Sequence, residues 1–414
     1  MSQYRHVPVL PNLDQFRHQA KDLLRGIRRG DPTALADLRA YHPLPIAADA
    51  ATLTDAQLAL ARSYGFTGWS RLVLACRMTD AIWRNDVDAV RTLITKHPQL
   101  LHEDARGVPG NWGPPMSYAA NLGRARIIEM LHERGAADVQ HAFERACLQG
   151  QIDVARRLHA LGGRPLPGSV MGPCETQNGA GLGLMLELGG DLCDDHGDRL
   201  APIALIFETY ARNPAGKHEC LEILSRRGIA LPDTPAMAVH HGRADLLERH
   251  LAQDPDLLTR TFGHEDVYPP ELGCHADHSL ALHGTPLDGA TLLHMCVDFD
   301  EIDLARWLIG RGADVNARAA VDSHGFGGHT ALFGTVVTQP IRLRRNDEFA
   351  RLLLDAGADP NIRASLRKRL RGVDDEESHD YRDVTPRGWG EQFHEPSFVS
   401  QPALRLIVAR GGQA

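Results

Sequence analysis

"LIGRGADVNARA" at 308–319 and "LLDAGADPNIRA" at 353–364 are nearly the same phrase written twice. The residues before the first copy read "DEIDLARWLIG". Asp300 is a suitable N-cap, because its carboxylate can accept from the free amides of a first helical turn. Ile302, Ala305 and Ile309 then fall at i, i+3 and i+7, with Leu304 and Leu308 beside them, which predicts one apolar stripe along a helix. Gly312 follows, where a left-handed residue is wanted to close the last turn. The second copy has the same plan: a polar start at "NDE", then Phe349, Leu352 and Leu353, then Gly357.

Looser copies lie upstream, with glycine stops at Gly135, Gly162, Gly189 and Gly228, and another closes the series at Gly411. In "RADLLERHLAQDPDLL" (243–258), Pro255 stands in place of the glycine. Shorter apolar segments precede most of these helices: "PPMSYAANLG" (114–123), "TPAMAVHHG" (234–242), "TLLHMCVDF" (291–299) and "TALFGTVV" (330–337). A short helix, a tight turn, a longer helix and a glycine stop make a unit of roughly thirty residues that must stack on its neighbours to bury its apolar faces.

These residues resemble the ankyrin repeat family, whose unit is a turn, a "TPLHxAA" helix, a second helix and a "GADVN" ending. The match is close at 289–318 and 328–363 and recognisable from about 78 to 260 and at 384–412. The resemblance implies an all-α ankyrin repeat solenoid. Residues 1–77 would be a helical N-terminal cap, and residues 78–414 an array of about nine irregular units with long finger-loop insertions. "YGFTGW" (64–69) is similar to a segment that often precedes bacterial ankyrin arrays.

The composition agrees with a folded chain: of 414 residues, 43% are hydrophobic and 24% charged. A net charge of −8 argues against a dedicated nucleic-acid binder, which needs clustered cations to neutralise phosphates. Seven scattered cysteines include no CxxC pair and cannot all be bridged within the chain, which suits a reducing compartment. The start "MSQYRHVPVLPNLDQF" has no signal-peptide stretch, and no run reaches membrane-spanning length. A cytoplasmic protein is the expectation.

Regular units would place glycine stops about 33 residues apart. Gly312 and Gly357 are 45 apart, and Gly357 and Gly411 are 54 apart. The excess lies in insertions near 259–289, 319–346 and 365–383, and loops of such length are commonly functional. The first contains "CHADH", with His275, Asp277 and His278, residue types able to hold a divalent metal or move a proton, though at no established zinc spacing. The second carries His324 and His329. The third sets a basic block containing Arg369 against an acidic block containing Asp375, followed by His379 and Tyr381. On the short helices, "CETQNG" (174–179) and "FETYARN" (207–213) put Glu175, Asn178, Glu208 and Tyr210 where small apolar residues are usual. Polar groups there need partners or a wet groove.

Two readings stand. In one, the groove and fingers recognise another protein, as the resemblance implies. In the other, a polar pocket beneath the fingers binds a small molecule or performs hydrolase or lyase chemistry, possibly metal-dependent, with His275, Asp277 and His278 as acid, base or ligands. Nucleophile-elbow, phosphate-loop, dinucleotide and HExxH motifs are absent. No catalytic residue, cofactor or metal is therefore assigned, and neither nucleic acid nor membrane is expected as a partner.

Overall fold

In the computed structural model, residues 4–276, 285–337, 346–369 and 377–414 are described, and the chain divides into two units, Met1–Pro165 and Leu166–Ala414. In the first unit, α1 (Leu13–Arg28), α2 (Pro32–Tyr41) and α3 (Leu53–Ser63) start at Asn12, Asp31 and Thr52, whose side chains each accept an amide of the first turn. Phe16, Phe66 and Leu72 form one small core of this region, and Ile27, Leu38 and Ala59 another. Three helix pairs follow: α4 (Trp69–Trp83) with α5 (Val87–Lys96), α6 (Pro115–Asn121) with α7 (Ala125–Glu133), and α8 (Val139–Leu148) with α9 (Ile152–Ala160). Helix α4 runs through the expected boundary between residues 77 and 78. The buried Tyr118 hydroxyl of α6 donates to Val9 O (2.8 Å) and so ties the N-terminal segment to the pairs.

The second unit begins with α10 (Met171–Glu175) and α11 (Gly179–Glu187), α12 (Ala201–Glu208) and α13 (Pro214–Arg226), and α14 (Pro235–His240) and α15 (Ala244–Gln253). A one-turn helix, α16 (His264–Val267), lies in the first insertion, before α17 (Leu292–Asp298) and α18 (Ile302–Gly310). The segment expected as a helix at 330–337 is instead a 3₁₀ turn, Ala331–Thr335, paired with α19 (Asn346–Asp355). Its Gly334 passes so near α17 that a Cβ there would lie 3.2 Å from Val297 Cγ1. The third insertion forms a two-stranded antiparallel hairpin, β1 (Ala364–Lys368) and β2 (His379–Val384), which the all-helical expectation did not contain. The pair α20 (Pro386–Gln392) and α21 (Gln401–Ala409) follows.

The repeated phrase is a lateral joint. Gly312 and Gly357 adopt φ of 96° and 95°, and the next amides return to the helices: Ala313 N to Leu308 O (3.0 Å) and Ala358 N to Leu353 O (2.9 Å). A Cβ at either glycine would meet nothing within 4 Å, so the need for glycine is purely conformational. The aspartate of each phrase then accepts the amide two residues on, Asn316 to Asp314 and Asn361 to Asp359 (both 2.8 Å). The asparagine reaches the next pair. Asn316 Nδ2 donates to Gly357 O (3.1 Å) while its Oδ1 accepts from Asp359 N (2.7 Å). Asn361 does the same with Gly411 O (3.2 Å) and Gln413 N (2.8 Å).

Asp300 is not the N-cap expected for α18. It has φ 63° and occupies the left-handed position between α17 and α18, with Glu301 N donating to Cys296 O (2.9 Å); Glu301 takes the N-cap place. Asn85 and Gln177 fill the matching turns of their own pairs.

A buried ionic cluster locks the α12 and α17 regions together around Phe299, which is 1% exposed. Arg212, after α12, donates Nε to Asp298 O (2.7 Å) and NH2 to Asp298 Oδ2 (2.8 Å), and NH1 to Thr209 O and Ala211 O. Lys217 Nζ and His218 Nε2 both meet Glu301 Oε1, at 3.1 and 2.9 Å. Burial alone would raise the Glu301 carboxyl, but Lys217 and His218 outweigh it and hold it below its ordinary value. Arg212 and Lys217 also lie over the Phe299 ring, 5.0 and 4.7 Å from its centroid. Replacing Arg212 with methionine strands the Asp298 carboxylate in the core. The expected loss of unfolding free energy in urea titrations is about 3–5 kcal/mol, most of it recovered in the Arg212→Met/Asp298→Leu double variant.

Candidate functional site

The described parts of the three insertions are joined edge to edge by backbone hydrogen bonds. Phe262 N donates to Ala290 O and Gly289 N to Phe262 O (both 2.8 Å) within the first. Ala320 N donates to Gly289 O (2.8 Å), joining the second to the first. Gly327 N donates to Ser365 O (2.7 Å) and Ser365 N to Gly327 O (3.3 Å), joining the second to β1. Close approach demands the glycines here: a Cβ on Gly327, whose φ is 117°, would collide with the Ala320 carbonyl oxygen.

On this surface Phe326 lies between two guanidinium groups, with Arg367 Cζ 4.1 Å and Arg382 Cζ 3.6 Å from its ring centroid. Asp380, opposite Arg367 in the hairpin register, holds Arg367 with two hydrogen bonds of 2.7 and 3.0 Å. Asp322 turns the second finger by accepting the amides of His324 and Phe326 (both 2.8 Å), and these backbone bonds hold its carboxyl below the ordinary value. The fingers line a half-open cavity of about 490 Å³. Pro286 and Asp288 line it from the first insertion, Val321, Phe326 and His329 from the second, and residues 366–369 from the third.

His329 of this lining pairs edge-to-face with a second neutral histidine, His294 (ring centroids 5.3 Å apart). His294 accepts from Thr291 Oγ1 at Nδ1 (2.9 Å), which leaves Nε2 to donate to His329 O (3.0 Å). His329 Nε2 donates to Pro286 O (3.1 Å). Burial pushes the two imidazoles down to about 4 and about 3.

Of the other candidates, Glu208 and His275 meet: the Glu208 carboxylate accepts the His275 amide, and its Oε2 lies 2.8 Å from His275 Nδ1. Glu175 and Tyr210 form a second pair, the hydroxyl donating to Glu175 Oε1 (2.9 Å). Asn178 caps α11 by accepting from Gly181 N (2.9 Å). The neighbouring Gln177, at 1% exposure, donates to Ile206 O and accepts from Asn213 N, so this polar stretch forms a joint with the α12–α13 pair. His329 and Arg369 line the finger cavity together, while His324 is exposed and held through its backbone. His379 stacks on His394 (ring centroids 3.7 Å apart), and Tyr381 packs against Trp389 and Phe393. Asp277, His278 and Asp375 lie outside the described residues. Among the described residues, no three His, Cys, Asp or Glu side chains are grouped to hold a metal ion. Phe326 and Arg382, which organise the finger surface, were not among the sequence candidates; the signal was a lone aromatic inside "GFGG" (325–328).

The ankyrin repeat family matches residues 288–320, which span α17, α18 and the first of the two phrases. Residues 288–320 are an ankyrin repeat. Among solved structures, the human ASB11 ankyrin repeat domain is similar at 17% identity, covering 72% of this chain and 99% of that domain, with a TM-score of 0.24. No curated protein matches the chain. No described helix of the chain is long and apolar enough to cross a membrane.

Two outcomes follow for the site. Gly327→Ala is expected to break the joint to β1, seen as accelerated amide exchange at Ser365 and proteolytic nicking within 319–329 with helical circular dichroism retained. Gly357→Ala, strained but unobstructed, is expected to cost about 1–2 kcal/mol of stability. The buried histidines fix the sign of the pH dependence. The unfolded chain takes up protons near the ordinary value of 6.5, before the folded imidazoles do. Stability is therefore complete well above that pH and falls on acidification, by roughly 1.5 kcal/mol per imidazole between pH 6.5 and 5. Urea midpoints measured across this range should fall, and fall less steeply in His294→Gln.

Proposed function

We infer that this chain works as a protein–protein interaction module, as ankyrin repeats generally do. We propose that this chain recognises a protein partner through the joined fingers of its second unit and the groove face of the adjoining short helices. The observation that carries this reading is the lateral bonding of the three insertions at Gly289–Ala320 and Gly327–Ser365. Fingers tied in this way present a preorganised surface, and binding to it spends little free energy on ordering loops. The paired Arg367 and Arg382 on Phe326 are the anchors; arginine and aromatic residues dominate binding energy at protein interfaces. Asp322, Asp380 and Asp383 set the polar rim and the register of approach.

The N-terminal helices α1–α3 serve in this reading as the cap that repeat arrays need at an exposed end. All seven cysteines are free, and six are buried, which supports residence in a reducing compartment such as the cytoplasm. Cys76 and Cys147 are pushed up to about 12 by burial, so their thiols stay protonated at neutral pH.

The test is site-directed photocrosslinking in native extract. A crosslinker at the exposed finger residue His324 is expected to trap one protein, and the same group at Arg351 on α19 is expected not to. Arg367→Ala/Arg382→Ala should reduce that crosslink at least tenfold. Equal trapping from both positions would overturn the reading.

A further inference from the structure

We propose that Arg106, in the loop before α6, is a docking site for a carboxylate: the glutamate side chain of an extended segment of a partner protein. The site belongs to the first unit and does not rest on the fingers of the second.

Arg106 is 8% exposed. A guanidinium taken that far out of water is costly unless a carboxylate or several carbonyls surround it. Here it has neither. Its Nε is sealed from solvent with no hydrogen-bond partner, and none of the described residues accepts from the other two nitrogens. The neighbouring acids are otherwise disposed. Glu103 is held by Arg71 (2.9 Å). Asp104 is close enough for the Arg106 charge to act on it, yet burial raises its carboxyl above the ordinary value. A direct ion pair would hold that carboxyl below it. The fold therefore buries this cation without a counter-ion.

The guanidinium is reachable. Of its three nitrogens only Nε is sealed, so the terminal pair keeps solvent contact. Exposed Gly110 stands over that end: a Cβ there would lie 3.7 Å from NH2 and 3.9 Å from Cζ. The backbone of Gly110 stays out of the left-handed region, so its missing side chain matters for the opening rather than for the turn. Two parallel N–H groups at the end of a fixed guanidinium match the two oxygens of one carboxylate. A lone uncompensated cation selects a monoanion. The approach runs past exposed Pro109, Gly110 and Asn111 and continues into half-buried Trp112, which packs on Tyr118 (ring centroids 5.0 Å). An extended segment can lie along this strip while a glutamate arm reaches down to the fork. Arginine and tryptophan are the residue types that most often anchor such contacts.

The test uses the full chain labelled with ¹⁵N-arginine and titrated with acetyl-Gly-Ala-Glu-Ala-Gly-amide. The reporter is the Arg106 Nε–H signal, assigned by its loss in Arg106→Met. That signal is expected to shift saturably in the millimolar range, with affinity at least about tenfold lower for the glutamine counterpart of the peptide and for sodium acetate. Gly110→Leu, which lays a side chain over the fork, should abolish the shift with circular dichroism unchanged. Without peptide, Arg106→Met should raise the urea midpoint, because it removes a buried charge that has no partner. A lowered midpoint would make Arg106 structural and overturn the proposal. So would the absence of a saturable shift, an equal response to the glutamine peptide, or a response that Gly110→Leu retains. Acetate binding as tightly as the peptide would overturn the assignment to a protein segment.

Discussion

Asn316 and Asn361 each clasp the stop of the next helix pair with both ends of a side-chain amide, and the finger surface depends on that clasp. One end donates to the carbonyl of a left-handed glycine, and the other accepts the amide two residues later. A side chain that must satisfy two backbone groups of a neighbour leaves little freedom in spacing or rotation. Gly312, Gly357 and Gly411 are thereby brought into adjacent stops, although 45 and 54 residues separate them along the chain. The long insertions therefore leave the stack undisturbed, and their bases emerge close enough for Ala320 to bond Gly289 and Gly327 to bond Ser365.

Stacking alone leaves one pair free to slide on the next, because apolar burial is nondirectional. The charges buried around Phe299 remove that freedom. Arg212 hydrogen-bonds to the end of α17 and to its own loop, a geometry that a displacement of one residue would destroy. Replacing such a pair by well-packed apolar side chains is often neutral for stability, so its value here lies in register. Gln177 does comparable work at the α10–α11 turn. It accepts the strain of φ 50°, and its side chain and carbonyl bond three groups of the α12–α13 pair.

The glycine stops were legible in sequence because a left-handed residue in open space selects glycine and little else. The turns between the helices of each pair were less so. Asp300 was read as a cap because aspartate suits both an N-cap and a left-handed turn, and the choice depends on where α17 ends. Glu208 and His275 were both candidates, but periodicity could not show that they meet across 67 residues of chain. The hairpin was hidden for a related reason. A basic block before an acidic one fits either a solvated loop or paired strands, and only the register sets Arg367 opposite Asp380. Polar "CETQNG" suggested a wet groove, whereas Gln177 and Asn178 are satisfied by backbone groups of the fold.

A stack of this kind is held mainly by interfaces between neighbours, so its free energy is distributed along the chain. The finger cavity is lined by three consecutive insertions and spans two of those interfaces. Anything that occupies it adds contacts to both at once, and so stabilises the C-terminal half of the second unit more than contacts within one pair could. The reverse also holds: loosening one asparagine clasp shifts the base of a finger and with it one side of the cavity. The recognition proposed for the fingers would thus be linked to cohesion of the stack through the same few backbone groups. This is why excess length inserted at these stops can build a site, while the same length placed within a helix would only interrupt its apolar stripe.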